Sequence, residues 1–243
     1  MTVMIQRLDQ TPKYLKALVY GEPGAGKTYL AATAPNPLFV DVEGGTMTIR
    51  NRQIPVAKAE CWADVEEILD HLQAGTKGWT GFETLVIDSI SEVQYLCNEA
   101  LLIENFARKP DTLDPDVLDQ QGWGKSFVRM NRILRRFRNL PMHVVMTALV
   151  DVVKDDITKK VSYRPLVQGK FGVILPGIMD VLGYLYTETD PEDDNELVRM
   201  LLVQPMGKYI ARERIGTLGT VVQKPTIPYI INELKKKQER EEA

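Results

Sequence analysis

The segment Gly21-Glu22-Pro23-Gly24-Ala25-Gly26-Lys27-Thr28 constrains this chain more than any other stretch. Four residues between two glycines, followed by Lys and Thr, is the P-loop spacing. An apolar run, Leu15 to Tyr20, precedes it and reads as a buried strand; small residues from Tyr29 to Ala32 follow and read as a helix start. A triphosphate carries several negative charges on closely spaced oxygens. Holding it calls for bare backbone N–H groups converging on one point, which glycines permit because no Cβ blocks the approach. The N-terminus of the following helix adds positive dipole. The pattern assigns Lys27 to the β- and γ-phosphates and the Thr28 hydroxyl to Mg²⁺. Gly21 through Tyr29 is thus the expected nucleotide-binding stretch, with a nucleoside triphosphate and Mg²⁺ the expected cofactors.

A chain of 243 residues suits one large α/β domain or two small ones. Its hydrophobic share of 44% and charged share of 26% are ordinary for a globular protein. The net charge of −3 leaves a nucleic-acid partner to a local basic patch. Cys61 and Cys97 show neither metal spacing nor a disulfide framework, which fits a reducing cytoplasm. No signal peptide and no apolar run of membrane-spanning length is read, so neither secretion nor a membrane is expected.

Val3, Ile5 and Leu8 alternate weakly within residues 1–14, a lead-in to the first strand or a docking arm for a neighbouring subunit. The first helix is expected over Thr28–Ala34, ended by Pro35 and Pro37. Leu38–Val42 is a short buried strand that delivers Glu43 at its carboxyl end, beside Gly44-Gly45, on the rim where α/β sheets bind ligands. Trp62, Val65, Ile68, Leu69 and Leu72 recur at helical spacing. Thr84–Ser89 is a β-branched strand ending in Asp88, the Walker B pattern, in which a carboxylate orients water on the Mg²⁺ held by Thr28. A helix is expected from Ser91 to Ala107 and an exposed loop from Lys109 to Asp119.

Gly124–Asn139 reads as a helix whose apolar face is Phe127, Met130, Ile133, Leu134 and Phe137. Lys125, Arg129, Arg132 and Arg136 share another face, flanked by Arg135 and Arg138, with no acid among them. A phosphate backbone, an acidic neighbouring subunit or plain solvent could answer that charge. Met142–Ala148 is a further buried strand, whose Thr147 is either a γ-phosphate sensor or a satisfied core threonine. Asp151–Tyr163 reads as a hairpin with Lys154, Lys159 and Lys160 near its tip. Strands are expected at Asp180–Thr187, Leu197–Gln204 and Lys208–Ile215, with Glu188–Glu196 as a solvated acidic turn. A terminal helix starts at Ile227, and 235–243 is a charged tail expected to fray.

The position after Asp88 is Ser89, where many P-loop ATPases carry the catalytic Glu, so the base must come from elsewhere. Glu43 is the available carboxylate. No Asn-Lys-x-Asp segment reads guanine, and no Arg-rich lid of a nucleoside kinase can be placed.

With GEPGAGKT, FVDVEGG, TLVIDS and the late Arg212-x-Arg214, the sequence resembles the RecA-like ATPases over roughly Leu15 to Ile215. The resemblance implies that Glu43 activates the attacking water. It also implies that Arg212 and Arg214 reach the ATP site of an adjacent subunit as arginine fingers; an exposed strand of alternating charge is the other reading of that pair. More narrowly, Gln121–Gly124, Met142–Thr147 and Gly169-Lys170 resemble compact phage nucleotide-binding proteins of AAA type, including Sak-type single-strand annealing proteins. Thr147-Ala148 replaces the Gln that RecA places at that strand end, and no separate C-terminal domain follows.

The expected architecture is an α/β, RecA-like domain over 15–234, with a mostly parallel central sheet, helices on both faces and a C-terminal antiparallel extension. The resemblance implies a ring or filament of subunits. It also implies single-stranded DNA along Lys154, Lys159, Lys160, Arg164 and Lys170, and a single-strand-binding or replication protein as a further partner. The alternative is an ATP-gated loader or assembly factor that engages a protein instead of DNA.

Overall fold

The computed structural model describes residues 14–108, 114–155, 159–190 and 193–242. In chain order these form β1 (Lys16–Gly21), α1 (Lys27–Ala31), β2 (Pro37–Asp41), a 3₁₀ segment (Gly45–Arg52), β3 (Val56–Lys58), α2 (Trp62–Ala74), β4 (Thr84–Asp88), α3 (Ile90–Arg108) and α4 (Gln120–Arg138). There follow β5 (His143–Lys154), β6 (Val161–Pro165), α5 (Phe171–Ile178), β7 (Val181–Asp190), β8 (Asp193–Leu202), β9 (Arg212–Glu213), β10 (Val221–Gln223) and α6 (Ile227–Glu242).

The strands lie in the order β10-β8-β7-β1-β5-β4-β2-β3. From β7 to β3 every neighbouring pair is parallel. Beyond β7 the sheet turns antiparallel through β8 and β10, with β9 also antiparallel on β7. Helices cover both faces because each central strand is apolar on both. Leu18 and Tyr20 of β1, with Leu85 and Ile87 of β4, face a core shared with α2, α3, α4 and α5. Ala17, Val19 and Val86 face the opposite way, into a core with α1, Ile49 and α6. Such two-sided burial is why these strands read as unbroken apolar runs. The fold class is the one the sequence implies.

Several local expectations shift. Gln121–Gly124 lies inside α4, whose first turn is capped by the Asp119 carboxylate accepting from Gly122 N at 2.6 Å. The acidic connection is largely paired: Glu188 and Thr189 face Val198 and Leu197 across the β7–β8 hairpin. An exposed strand tolerates such residues, so their polarity does not mark a turn. The strand expected over Lys208–Ile215 shrinks to Arg212–Glu213, and the helix from Ile227 continues to Glu242 instead of fraying after Leu234. The lead-in over residues 1–13, residues 109–113 of the loop before α4 and the hairpin tip at 156–158 lie outside the described residues.

The basic helix finds part of its counter-charge within its own chain. Arg129 pairs with Glu104 of α3 at 2.8 Å, and Arg136 with Asp70 of α2. These are half-exposed pairs of modest value, but they orient two of the six cations inward along the neighbouring helices. Among the described residues no helix is long and apolar enough to cross a membrane.

Candidate nucleotide site

Strand register brings the chemical groups to one rim. Val19 of β1 is level with Thr147 of β5, Ile87 of β4 with Met146 of β5, and Asp41 of β2 with Asp88. The loop that follows β1 therefore opens beside Asp88, one strand away, with Thr147 on the strand between. Thr28 Oγ1 donates to Asp88 Oδ2 at 2.7 Å, and Thr147 Oγ1 donates to Asp88 Oδ1. Asp88 is 2% exposed and Thr147 is fully buried, so two hydroxyls hold this carboxylate in one orientation. Thr147, expected as either a sensor or a core residue, sits against Asp88. The Asp88–Ser89 peptide bond is cis.

Glu43 is brought in by its backbone. The amides of Val42 and Glu43 donate to the Asp88 carbonyl at 2.9 and 3.3 Å, tying the end of β2 to β4. Asp41 braces the next turn, accepting from Gly44 N and from Thr46 Oγ1, both at 2.8 Å. Glu43 is exposed at the lip, within the field of Asp88 and Lys27. Desolvation, then Asp88, raise its pKa, against the pull of Lys27. Lys27 moves the opposite way: burial lowers its pKa, against Glu43, Asp88 and Glu22. A carboxyl shifted up beside an amine shifted down is the arrangement of groups poised to handle a proton and a charge.

The cradle itself depends on two glycines. A Cβ on Gly21 would lie 2.4 Å from the Leu185 carbonyl oxygen of β7, so only glycine lets β1 end there. Gly26 has φ of +92° and a Cβ there would meet Arg199 Nε at 2.3 Å. Glu22, Pro23 and Gly24 form the exposed crest and Ala25 packs inward. Lys27 Nζ donates to the carbonyls of Gly21 and Glu22 at 3.0 and 2.9 Å, directly beneath that crest. The Thr28 hydroxyl and Asp88 carboxylate are adjacent hard oxygen donors. They fit Mg²⁺, which takes one or two protein oxygens and fills its octahedron with water and phosphate.

The sequence pattern of a family described as an AAA domain matches residues 13–215. The chain belongs to that family. This AAA domain has no match among the curated proteins. Among solved structures, the flagellar accessory protein FlaH from Methanocaldococcus jannaschii is similar to it over 86% of this chain and 89% of that one, at 11% identity and a TM-score of 0.40.

Other expected residues stand apart from the cradle. Arg212 pairs with Leu182, Arg214 N donates to the Asp180 carbonyl at 2.9 Å, and the Arg214 guanidinium donates to the Gly177 carbonyl. Asp180 and Leu182 lie at the amino end of β7, and the P-loop lies at the carboxyl end of β1 alongside it. Any phosphate contact by Arg212 or Arg214 thus has to be made in another copy. Lys154, Lys159, Lys160 and Lys170 are exposed, and Arg164 pairs with Asp151 at 3.1 Å. Lys154, Lys159, Lys160 and Arg164 lie along the β5–β6 hairpin, where β5 runs past Leu149, the residue level with the end of β1, and Lys170 lies beyond it at the start of α5. Arg52 and Arg199 escaped the sequence reading; both guanidinium groups lie over the Tyr29 ring, at 4.3 and 4.4 Å from its centroid. Neither an Arg at the end of a 3₁₀ segment nor one in a strand gives a local signal of such a contact.

Proposed function

We propose that this AAA domain is a Mg²⁺-dependent ATPase acting on single-stranded DNA in phage-type recombination, annealing or replication, within the cytoplasm. The observation that carries the ATPase reading is the Thr28–Asp88 hydrogen bond of 2.7 Å, with Lys27 and Glu43 in the same charge cluster. Lys27 and the backbone of residues 24–28 would hold the phosphates, and Thr28 and Asp88 would hold the cation. The chemistry that Mg²⁺ supplies is neutralisation of charge on the phosphate oxygens. Glu43 would orient water and take its proton, and Thr147 would keep Asp88 aligned. Arg212 and Arg214 would complete the site of the next copy in a ring or filament.

Support for DNA comes from the basic hairpin, which extends beyond the rim that carries the P-loop. Strand binding there would pass along Lys154, Lys159, Lys160, Arg164 and Lys170, giving steep salt dependence. ATP turnover measured with and without a single-stranded oligonucleotide is the test. Stimulation by the strand, lost when Lys154, Lys159 and Lys160 become Ala, is the expected result. Turnover indifferent to the strand, with no binding at low salt, refutes the DNA part and leaves the ATPase part standing. The second reading, an ATP-gated loader of a protein partner, is favoured by one surface. Trp123, 41% exposed, lines an apolar groove with Phe127, Gln168 and Lys170.

A further inference from the structure

Strand β8 carries a cation to the phosphate cradle from the side opposite the acids. Arg199, level with Thr187 of β7, packs its side chain against Gly26. The space a Cβ would take at residue 26 lies 2.3 Å from Arg199 Nε and 3.1 Å from its Cδ and Cζ. That Nε is buried and has no hydrogen-bond partner among the described residues. A buried charged donor without an acceptor is costly, and a ligand oxygen arriving beside it would remove that cost. The same guanidinium lies over the ring of Tyr29, which Arg52 also faces while its Nη1 holds the Ala32 carbonyl at 3.1 Å. Two cations on one ring, beside a cradle of backbone amides, concentrate positive charge at one point.

Strand order fixes which part of a ligand that charge meets. Asp88, Thr147 and Glu43 come from β4, β5 and the end of β2, all on one flank of β1; β8 lies on the other. The terminal phosphate belongs with the acids and the cation they hold. Arg199 and Tyr29 therefore meet the end nearer the nucleoside. We propose that Arg199 is a nucleotide-binding residue acting within its own subunit, its planar fork bonding the α- and β-phosphate oxygens common to ADP and ATP. The inference rests on the reading of the cradle as a nucleoside triphosphate site. It assigns affinity to a residue outside the P-loop segment and 173 positions from Gly26 in sequence.

The experiment is calorimetric titration of Arg199→Gln and Arg199→Lys with Mg-ADP and with Mg-ATP, alongside wild type and Lys27→Ala. Arg199→Gln is expected to weaken both nucleotides alike, by about 10- to 100-fold, the range of a lost charge-assisted hydrogen bond. The loss should fall on KM in steady-state turnover, and Arg199→Lys should recover part of the affinity. The ligand-free melting temperature of Arg199→Gln should be no lower than that of wild type, which separates binding from propping the loop. Wild-type affinity for both nucleotides in Arg199→Gln overturns the proposal, as does a loss confined to ATP. Wild type that binds neither nucleotide removes the reading of the cradle itself, a result distinct from a failure at Arg199 alone.

Discussion

Replacing Glu43 by Gln keeps volume and hydrogen-bonding capacity while removing one negative charge and one base. The structure makes activity and stability respond in opposite senses. For activity, a positioned general base contributes about 10²- to 10⁴-fold, so turnover at saturating ATP should fall by that factor. ATP affinity should hold, because Glu43 neighbours Lys27 and Asp88 without being the group that holds the phosphates. For stability, desolvation and Asp88 raise the pKa of Glu43 in the folded state. The folded chain therefore binds this proton at higher pH than the unfolded chain does. Ionised Glu43 at neutral pH works against folding, and the penalty fades as pH falls through the raised pKa. Gln carries no such penalty. The variant should melt no lower than wild type at neutral pH, and the two curves should converge on acidification. Phosphate release, calorimetric ATP binding and melting curves over mildly acid to neutral pH supply the three readouts. Unchanged turnover would remove Glu43 from the chemistry. Lost turnover accompanied by a lower melting temperature would make it a structural residue instead.

His143 accepts from Leu15 N through Nδ1 at 2.9 Å, and burial, then Lys16 and Lys235, bring its pKa from 6.5 down to about 4. The neutral ring is thus the folded form, and stability should decline as pH falls from 6.5 towards 4. His143→Asn, which keeps an acceptor for Leu15, should flatten that decline in pH-dependent melts, and an unaltered slope would refute the assignment. Gly21→Ala drives a Cβ to 2.4 Å from the Leu185 carbonyl, where backbone must yield, whereas Gly45→Ala meets nothing within 4 Å among the described residues. Chemical denaturation should show a loss of about 1–3 kcal/mol for the first and under about 0.5 for the second. Equal midpoints would mean that β7 is not held against β1 as tightly as the register implies.

What the sequence discloses and what it hides follow from the range of the interactions involved. The P-loop, the acid ending β4 and the helical face of Met130, Ile133, Leu134 and Phe137 are local patterns, and each stands where its pattern puts it. Glu43 was legible as an acid at a strand end, although the bonds from Val42 and Glu43 to the Asp88 carbonyl that place it are not. The 3₁₀ segment and β3 were missed. Gly45–Arg52 has only Ile49 buried, and the three-residue β3 is partly exposed, so neither shows apolar periodicity. Both strands of the β7–β8 hairpin were legible, but their charged ends, Glu188–Asp190 and Asp193–Glu196, read as a turn, since outward strand positions need no apolar side chain. The ion pairs of Arg129 and Arg136 join helices that are separate in sequence, and no reading of one helix could supply them.

On the proposed reading, the arrangement of strands across the rim would divide the hold on a nucleotide between two flanks. Asp88, Thr147 and Glu43 stand on the parallel flank, and Arg199 stands on the antiparallel one. Cleavage shortens the ligand at one end only. The first flank would then slacken while the second stays tethered to the diphosphate, so the molecule would register the event as an asymmetric loosening. The β5–β6 hairpin grows from the strand that carries Thr147. On the same reading it would be the lever best placed to convey the change outward.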